Sequence, residues 1–163
     1  MADLKTDGST QSANIWPLVK FSFKVVWDTT EIIFQEVSGL SSETQVIEYR
    51  GGSSPTYSTV KMPGIKKYNN ITFKKGTFQN DATLWTMYAG SSAGIKMNTI
   101  KRASVTISLL DETGQIAMSW SLLNAFPVKM QVTDMKSDAN EPAIETMEVA
   151  HEGLTLVLPS ING

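Results

Sequence analysis

The clearest pattern in the chain is an alternation of apolar and polar side chains that begins close to its amino terminus. On one face of the predicted strand lie the apolar side chains Val19, Phe21, Phe23, Val25 and Trp27. On the opposite face lie the polar side chains Lys20, Ser22, Lys24 and Asp28. A period of two residues is typical of a β-strand that buries one face and exposes the other. We therefore predict a half-buried strand over 19–27.

Further segments rich in Val, Ile, Phe and Thr predict more strands, separated by short polar turns. These segments are 32–37, 43–50, 69–77, 103–110, 115–123, 128–133 and 144–158, the last of them as a strand pair or one long strand. A bend over 124–127 separates the fifth from the sixth. Asp111-Glu112-Thr113-Gly114 predicts a hairpin turn, because Gly adopts the positive φ that such turns need. The fold class is therefore mainly β, a barrel or sandwich of about seven or more antiparallel strands.

One segment, about 80–90, predicts an α-helix that flanks the strands. Asn80 or Asp81 can accept hydrogen bonds from the free amides of its first turn. The aromatic and aliphatic side chains of Leu84, Trp85 and Tyr88 share a face at helical spacing. Such a stripe is far more often part of a core than a cofactor site. Gly90 and Gly94 are the predicted end of the helix.

The segment from about 50 to 64 predicts a long extended loop, because Gly and Pro punctuate both of its ends. It exceeds the usual length of a connection in a compact domain, and such connections are usually functional or disordered. A floppy surface loop is the plain alternative. The polar stretch 1–14 predicts a flexible amino-terminal arm, and 15–163 a single domain.

Composition narrows the function. The chain has 163 residues, a net charge of −2 and no cysteine, which excludes disulfides and thiolate chemistry. Its single histidine, His151, lies in a strand pattern, and no nucleophile-elbow motif surrounds any serine. Gly51-Gly52 lacks the Gly-Lys-Ser/Thr ending of a phosphate-binding loop. We therefore predict a non-enzymatic protein without cofactor or metal.

Two further observations bear on where the protein acts and on what it binds. Met1–Ala13 has no apolar core of a signal peptide, and no stretch has the roughly 20 apolar residues of a membrane span. We expect synthesis in the cytoplasm, no export by the general secretory route and no stable membrane embedding. A slightly acidic chain is a poor candidate for a free-standing nucleic-acid binder.

Charge is segregated along the chain. Eight cationic side chains and one acidic side chain lie between Lys61 and Arg102, whereas six acidic and one cationic lie between Asp134 and Glu152. If these segments reach different surfaces, subunits are self-complementary, and head-to-tail contacts generate rings or filaments. If they pair within one fold, the charge carries no information about association. The sequence leaves both interpretations open.

An ordered series of short motifs resembles the inner-tube proteins of contractile phage tails and of bacterial contractile injection systems. The first half of the series is Phe21-Ser-Phe-Lys-Val, Phe34-Gln-Glu-Val-Ser-Gly-Leu, Ile47-Glu-Tyr-Arg-Gly-Gly, Lys61-Met-Pro-Gly and Tyr68-Asn-Asn-Ile-Thr-Phe-Lys-Lys-Gly. The second half is Trp85, Leu109-Leu-Asp-Glu-Thr-Gly, Trp120, Asn124-Ala-Phe-Pro-Val-Lys, Asn140-Glu and Ile144-Glu-Thr-Met-Glu-Val-Ala-His-Glu-Gly-Leu. The match runs from about Trp16 to Leu158.

The resemblance implies stacked hexameric rings that form a hollow tube inside a contractile sheath. Partners would be further copies of the chain, the sheath, baseplate and cap proteins, and effector cargo in the lumen, with phage DNA as the alternative content. The long loop would reach a neighbouring subunit or ring. The predicted contact residues are Tyr49, Arg50, Tyr57, Val60, Lys61, Met62, Glu141, Glu145 and Glu148. The assembled tube would leave the cell in a released particle or virion tail.

A small-ligand-binding β-barrel is the alternative from another functional class. It would line a pocket with the apolar face of the first strand, Phe21 and Phe23 included.

In the tube interpretation, candidates for the lumen surface are the face of Lys20, Ser22 and Lys24, or that of Glu43 and Glu48.

Overall fold

The computed structural model describes residues 22–53, 55, 57–92, 101–138 and 140–160. Within these ranges the chain forms ten strands and one helix. The strands are β1 Phe23–Trp27, β2 Thr30–Ile32, β3 Glu36–Ser38, β4 Ser42–Tyr49, β5 Val60–Tyr68, β6 Ile71–Gly76, β7 Ala103–Leu110, β8 Ile116–Val132, β9 Ile144–Ala150 and β10 Gly153–Val157; the helix, α1, is Thr83–Ser92. The mainly β fold with one helix is confirmed. The predicted arm 1–14, Val19–Phe21 and Gly94 lie outside the described residues.

Eight strands form one antiparallel sheet, and β4 and β5 form a separate pair. The order in the large sheet is β2-β1-β7-β8-β9-β6-β3. The eighth strand, β10, is not part of this order and pairs with β8. The sheet has two halves that meet at β8, whose first part pairs with β7 and β10 and whose second part pairs with β9. All pairings are antiparallel, as the hairpin-rich sequence predicts.

The core lies between the two halves of the sheet. Val25, Val105 and Leu122 come from one half and Phe73 and Met147 from the other, and all five are fully buried in one cluster. The ring of Phe73 packs on that of Phe34, with 4.9 Å between the centroids. Leu84 of α1 is also buried in this cluster. Of the predicted apolar stripe on the helix, Leu84 therefore belongs to the core, whereas Trp85 is partly exposed.

The predicted bend at 124–127 lies within one strand, so the segments 115–123 and 128–133 are parts of β8 and not separate strands. Strand β8 runs through this region without interruption, although Asn124 has a φ of 50° and the register shifts between Pro127 and Lys129. A left-handed residue and a bulge bend a strand and increase its twist without ending it. The bend is what allows a single strand to belong to both halves of the sheet.

The predicted strand 32–37 is in fact two short strands. The chain leaves β1 after Ile32 and joins β6 from Glu36, and the Gln35 amide donates to the Lys74 carbonyl at 2.8 Å. Between them Phe34 turns into the core, whereas Ile33 is 82% exposed. The interruption arises because these few residues cross from one half of the sheet to the other.

Two local predictions are confirmed. Asp111 organises the turn after β7, where its Oδ1 accepts from the Thr113 amide at 2.8 Å and from the Gln115 amide at 2.9 Å. Gly114 in this turn has a φ of 81°. The hydrogen bond from the Thr113 hydroxyl, at 2.7 Å, and those from the Gln115 and Thr113 amides hold the pKa of Asp111 below its usual range. The predicted segment 144–158 is a strand pair, β9 and β10, with a turn at His151 and Glu152.

Asp81 fastens the start of α1 to the sheet. Its carboxylate forms an ion pair with the buried Lys75 of β6 and accepts from the Thr83 amide at 3.1 Å and from the Thr83 hydroxyl at 2.6 Å. The hydrogen bond from Lys75 and those from Thr83 hold the pKa of Asp81 well below its usual range. Asp81, not Asn80, thus provides the predicted helix cap.

We expect Asp81→Asn to destabilise the subunit at neutral pH, with a difference from the wild type that shrinks in acid. A carboxylate whose pKa is lowered by folding stabilises the native state above its unfolded pKa of about 4, and this contribution is lost as the pH falls through the folded value. Urea unfolding at pH 7, 5, 4 and 3 measures the difference. Asp138→Asn, at an exposed loop position, is the control. A difference that stays constant from pH 7 to pH 3 would contradict the assignment.

Candidate assembly surface

Strands β4 and β5 form a hairpin that stands apart from the rest of the subunit. All eight residues of β4 are exposed, as are most of β5, and among the described elements the two strands pack chiefly on each other. They are joined by residues 50–59. The predicted loop of about 50–64 is therefore too long, because Val60, Lys61 and Met62 already pair with β4.

The outer part of the hairpin has one apolar and one charged face. Ile47 lies opposite Met62, and Tyr49 lies opposite Val60. Side chains of alternate residues share a face, so these four form one continuous apolar surface, which we call the hairpin face. Each of its side chains is between 46% and 64% exposed.

On the opposite face, Glu48 lies across from Lys61 and pairs with it at 3.9 Å. The register shifts between Thr44 and Val46, and Gly64 at this bulge lies close to the Ile47 side chain. The bulge changes which residues of β5 share a face with β4. For this reason the sequence alone does not show which residues of 43–50 lie on which face of the hairpin.

The hairpin face has the properties of a surface that packs against another surface. A two-stranded hairpin alone is marginally stable in water, and needs packing on a further surface. Four large apolar side chains lie on this two-stranded ribbon, and the edges of its strands are unpaired. Such a ribbon pairs with strands of other molecules in an uncontrolled way unless a defined partner covers it. The hairpin is therefore the strongest candidate for a contact with another molecule.

At the far end of the hairpin, the Arg50 guanidinium lies over the Tyr57 ring, 5.6 Å from its centroid. The Tyr57 side chain is otherwise 98% exposed. Such a cation–π contact at an exposed site is worth about 0.5–1 kcal/mol, enough to bias the loop without fixing it. The structure thus brings together six of the predicted contact residues, Tyr49, Arg50, Tyr57, Val60, Lys61 and Met62, on one hairpin.

The two ends of the hairpin are joined to each other at its base, and one of them also contacts the turn between β9 and β10. Asn69 follows β5, and its Nδ2 donates to the Ser41 hydroxyl at 2.7 Å. Gly39 precedes β4 with a φ of 92°, and its Cα lies so close to the backbone of Asn70 that a side chain has no room. The His151 ring reaches Asn69 from the turn between β9 and β10. These contacts set the direction in which the hairpin leaves the subunit.

The three predicted acidic contact residues fall in different environments. Glu141 is exposed in the loop before β9. Glu148 is half-buried and accepts from the Asn70 Nδ2 at 2.7 Å. Glu145 is only 5% exposed, because it shares the inward face of β9 with Met147 and Val149. Its burial removes Glu145 from the side chains that a partner could touch.

Part of the segregated charge is neutralised within the subunit. Arg102 forms an ion pair with Glu152, which also accepts from the Asn124 Nδ2 at 2.8 Å. In the sheet, Lys75 lies across from Glu145 and Lys129 from Glu148. The Arg102–Glu152 ion pair supports the intramolecular interpretation of the charge pattern for these two residues.

Nothing in the described ranges resembles a catalytic centre. No cluster of three or more His, Asp or Glu side chains there has a metal-binding arrangement. A cleft of about 580 Å³ opens between the halves of the sheet, lined by Phe23, Leu40, Leu109 and Trp120 among others. Behind it, Val25 is buried in the core, and Phe23 and Trp27 on either side of it are half-buried against the same cluster. No helix within the described residues has the length and apolar character needed to cross a bilayer.

Comparisons with known proteins agree with this geometry. Residues 19–155 match the family model described as T4-like virus tail tube protein gp19. The chain is 28% identical to a protein in the extended sheath–tube complex of the PVC extracellular contractile injection system, covering 93% of this chain and 100% of that one, with a TM-score of 0.80. No curated protein matches the chain.

Two further solved structures extend the comparison. A protein of the anti-feeding prophage tube-terminating cap is 27% identical, with 88% of this chain and 93% of that chain covered and a TM-score of 0.78. An Hcp protein is 10% identical, with 86% and 94% covered and a TM-score of 0.53, so it shares the fold alone.

Proposed function

The chain belongs to the T4-like virus tail tube protein gp19 family, and from this premise we propose that its copies form stacked hexameric rings, the inner tube of a contractile injection particle. A tail tube protein is a structural component and not an enzyme. Contraction of a surrounding sheath would drive the rigid tube through a target envelope. Effector cargo would travel in the lumen, and the finished tube would be assembled in the cytoplasm and released within the particle.

The hairpin face is the single observation that carries the proposal. A closed ring needs heterologous contacts, in which one surface of a subunit meets a different surface of the next. The projecting hairpin, with Ile47, Tyr49, Val60 and Met62 on one side, supplies one of the two surfaces. Covering it on a neighbour removes an unpaired apolar ribbon from water and orders the loop that contains Tyr57.

Sheath, cap and baseplate proteins are the proposed partners besides further copies. The support comes from similar proteins that occur in a sheath–tube complex and in a tube-terminating cap. A similar protein in the anti-feeding prophage baseplate is 20% identical, which supports a common fold at that position. The alternative that the tube conducts phage DNA uses the same subunit architecture. The extracellular injection particle is favoured here because two solved relatives at 28% identity come from the PVC extracellular contractile injection system.

Electron microscopy of the purified full-length protein tests the proposal. We expect rings with six-fold symmetry or hollow tubes, with formation favoured by high protein concentration. A monodisperse monomer at all concentrations and salt conditions, also in the presence of the sheath protein, would overturn it. Capsid and terminase genes beside the coding gene would assign the tube to a phage, and toxin genes without a capsid gene to an injection particle.

A further inference from the structure

The cleft of about 580 Å³ between the two halves of the sheet has two apolar walls. One wall comes from β1, β7 and β8, where Phe23 lies opposite Leu109 and Ile107 lies opposite Trp120. Residues directly opposite each other in a ladder share a face, as do alternate residues of one strand, so these side chains form one surface. The other wall comes from the segment 35–40, which precedes β4.

The apolar side chains around the cleft are incompletely covered within the subunit. Phe23, Val37 and Leu40 pack against the core cluster, yet each of them is only half-buried, as is Trp120. On β10, Leu156 lies opposite Trp120 and is 50% exposed, so the apolar surface continues beyond the cleft. Concave apolar surfaces with an aromatic side chain are where a protein–protein contact concentrates its binding energy.

The hairpin face cannot fill the cleft of its own subunit. Leu40 lines the cleft, and β4 begins two residues later at Ser42, so the cleft lies at the base of the hairpin. Ile47, at the centre of the hairpin face, is five residues further along β4, a distance of about 17 Å at the rise of a strand. The pairing of β4 with β5 maintains this separation. A hairpin face that enters such a cleft therefore comes from another copy of the chain.

Charge also favours the hairpin as the occupant of the cleft. Among the described residues that line the cleft, the one charged side chain is Glu36, which is about half exposed and pairs with Lys74 at 3.2 Å. The hairpin, 42–68, has a net charge of +2, from Arg50, Lys61, Lys66 and Lys67 against Glu43 and Glu48. Opposite charge on two surfaces fixes register and partner choice more than it adds affinity.

We propose that the cleft is the second surface of the subunit contact, and that its occupant is the hairpin face of a neighbouring copy. This inference rests on the proposed function, because it assigns the surface that the hairpin meets during self-assembly. One projecting and one concave surface form a heterologous contact, which each copy repeats with the next. Tyr49 and Trp120 are the expected anchors of the two surfaces, since Tyr and Trp are enriched among the residues that carry binding energy.

Disulfide cross-linking tests this pairing directly, because the chain has no cysteine of its own. One full-length copy carries Ser38→Cys at the rim of the cleft. The second copy carries a single substitution, either on the hairpin face or, as the control, on the charged face: Ile47→Cys, Val60→Cys or Met62→Cys, against Glu48→Cys or Lys61→Cys. We expect a disulfide between the two copies from the hairpin face and none from the charged face, since the bond needs Cα atoms within about 7 Å.

Complementation of two assembly-deficient chains measures the same contact in solution. Ser38→Trp fills the rim of the cleft from an exposed position and should raise the concentration needed for assembly by about tenfold. A second chain with Ile47→Lys and Met62→Glu loses the hairpin face and keeps the cleft. Together the two chains retain one intact hairpin face and one intact cleft. We expect sedimentation velocity to show a 1:1 complex that grows no further, and Ser38→Ala, the control, to assemble like the wild type.

Three results would overturn the proposal. One is assembly of Ser38→Trp at the wild-type concentration, and another is cross-linking through the charged face instead of the hairpin face. The third is a disulfide between Ser38→Cys and Leu18→Cys in the same chain, which would assign the cleft to the segment that precedes Ser22.

The proposal and the proposed function can fail separately. If Ser38→Trp does not fold, as urea unfolding would reveal, the cross-linking still decides whether the hairpin face enters the cleft. Wild-type tubes without the hairpin–cleft disulfide would leave the proposed function standing. Cross-linked copies that build neither rings nor tubes would do the reverse.

Discussion

Replacing Ile47 by Lys and Met62 by Glu in one chain is expected to abolish ring and tube formation while the subunit stays folded. The two residues face each other across the hairpin, so the new side chains form an opposite-charge pair that preserves strand pairing. The apolar surface, however, is gone from the centre of the hairpin face. Electron microscopy and sedimentation velocity measure assembly, and urea unfolding measures the stability of the subunit.

The expected size of this effect follows from apolar burial. Covering a half-exposed Ile or Met contributes about 1 kcal/mol each, and two new charges add a desolvation cost to the contact. A loss of about 3 kcal/mol per contact raises the concentration needed for assembly by about a hundredfold. Every subunit of a ring carries the same defect, so the loss is repeated around the ring. Subunit stability should change by less than about 1 kcal/mol, as for other surface positions.

The charged face of the same hairpin provides the matched control. Glu48→Lys combined with Lys61→Glu reverses an exposed ion pair and keeps the two side chains opposite each other. This variant should assemble nearly as well as the wild type, since exposed ion pairs contribute little. If the control fails to assemble and the Ile47/Met62 variant assembles normally, the contact surface lies on the other face of the hairpin.

Gly39→Ala is expected to destabilise the subunit by about 4 kcal/mol, the largest change in stability that we predict for a single methyl group. Half of this cost comes from the backbone, because Gly39 has a φ of 92°, a conformation that side chains rarely adopt. The other half is steric. A Cβ at this position would overlap the carbonyl oxygen of Asn70 and lie 3.3 Å from the Cα of Ile71.

Gly114→Ala separates the two causes. Gly114 has a similar φ of 81°, but a Cβ there would meet no atom within 4 Å. This control should therefore lose about 1–2 kcal/mol, the cost of the backbone conformation alone. Chemical unfolding of both variants measures the difference. Equal losses at the two glycines would show that the close approach between Gly39 and Asn70 does not constrain the base of the hairpin.

The hairpin shows most clearly how much of the proposed contact surface could be predicted from the sequence. Tyr49, Val60 and Met62 stand out as apolar residues in a polar and Gly-rich neighbourhood, which is a sequence observation. That they share a face with Ile47 depends on the register between β4 and β5 and on the bulge near Gly64. Ile47 was absent from the predicted contact residues for this reason. Apolar pairs placed symmetrically about the midpoint between positions 54 and 55 include Ile47 with Met62 and Tyr49 with Val60.

Glu145 and Glu148 show the opposite case, in which alternation along one strand is enough to separate two residues. Alternation along β9 places Glu145 with Met147 and Val149, two residues of the core. The same alternation places Glu148 on the outer face, where it meets Asn70. A period of two is sufficient to separate them once the segment is recognised as a strand.

The sequence by itself determined the β-rich class, a helix that starts just after Asn80 and Asp81, the turn at Asp111–Gly114 and the family of the chain. Each depends on residues close together in the chain, or on an ordered series of motifs, and is readable without knowing which strands pair. Tertiary structure alone decided three features. Strand β8 belongs to both halves of the sheet, the segment 32–37 crosses between these halves, and the four apolar side chains of the hairpin face lie on the same side of the hairpin. These features depend on pairings between residues far apart in the chain, whose registers no local pattern specifies. The same holds for His151, whose ring reaches the carbonyl oxygens of Asn69 and Gly153 only when the chain is folded.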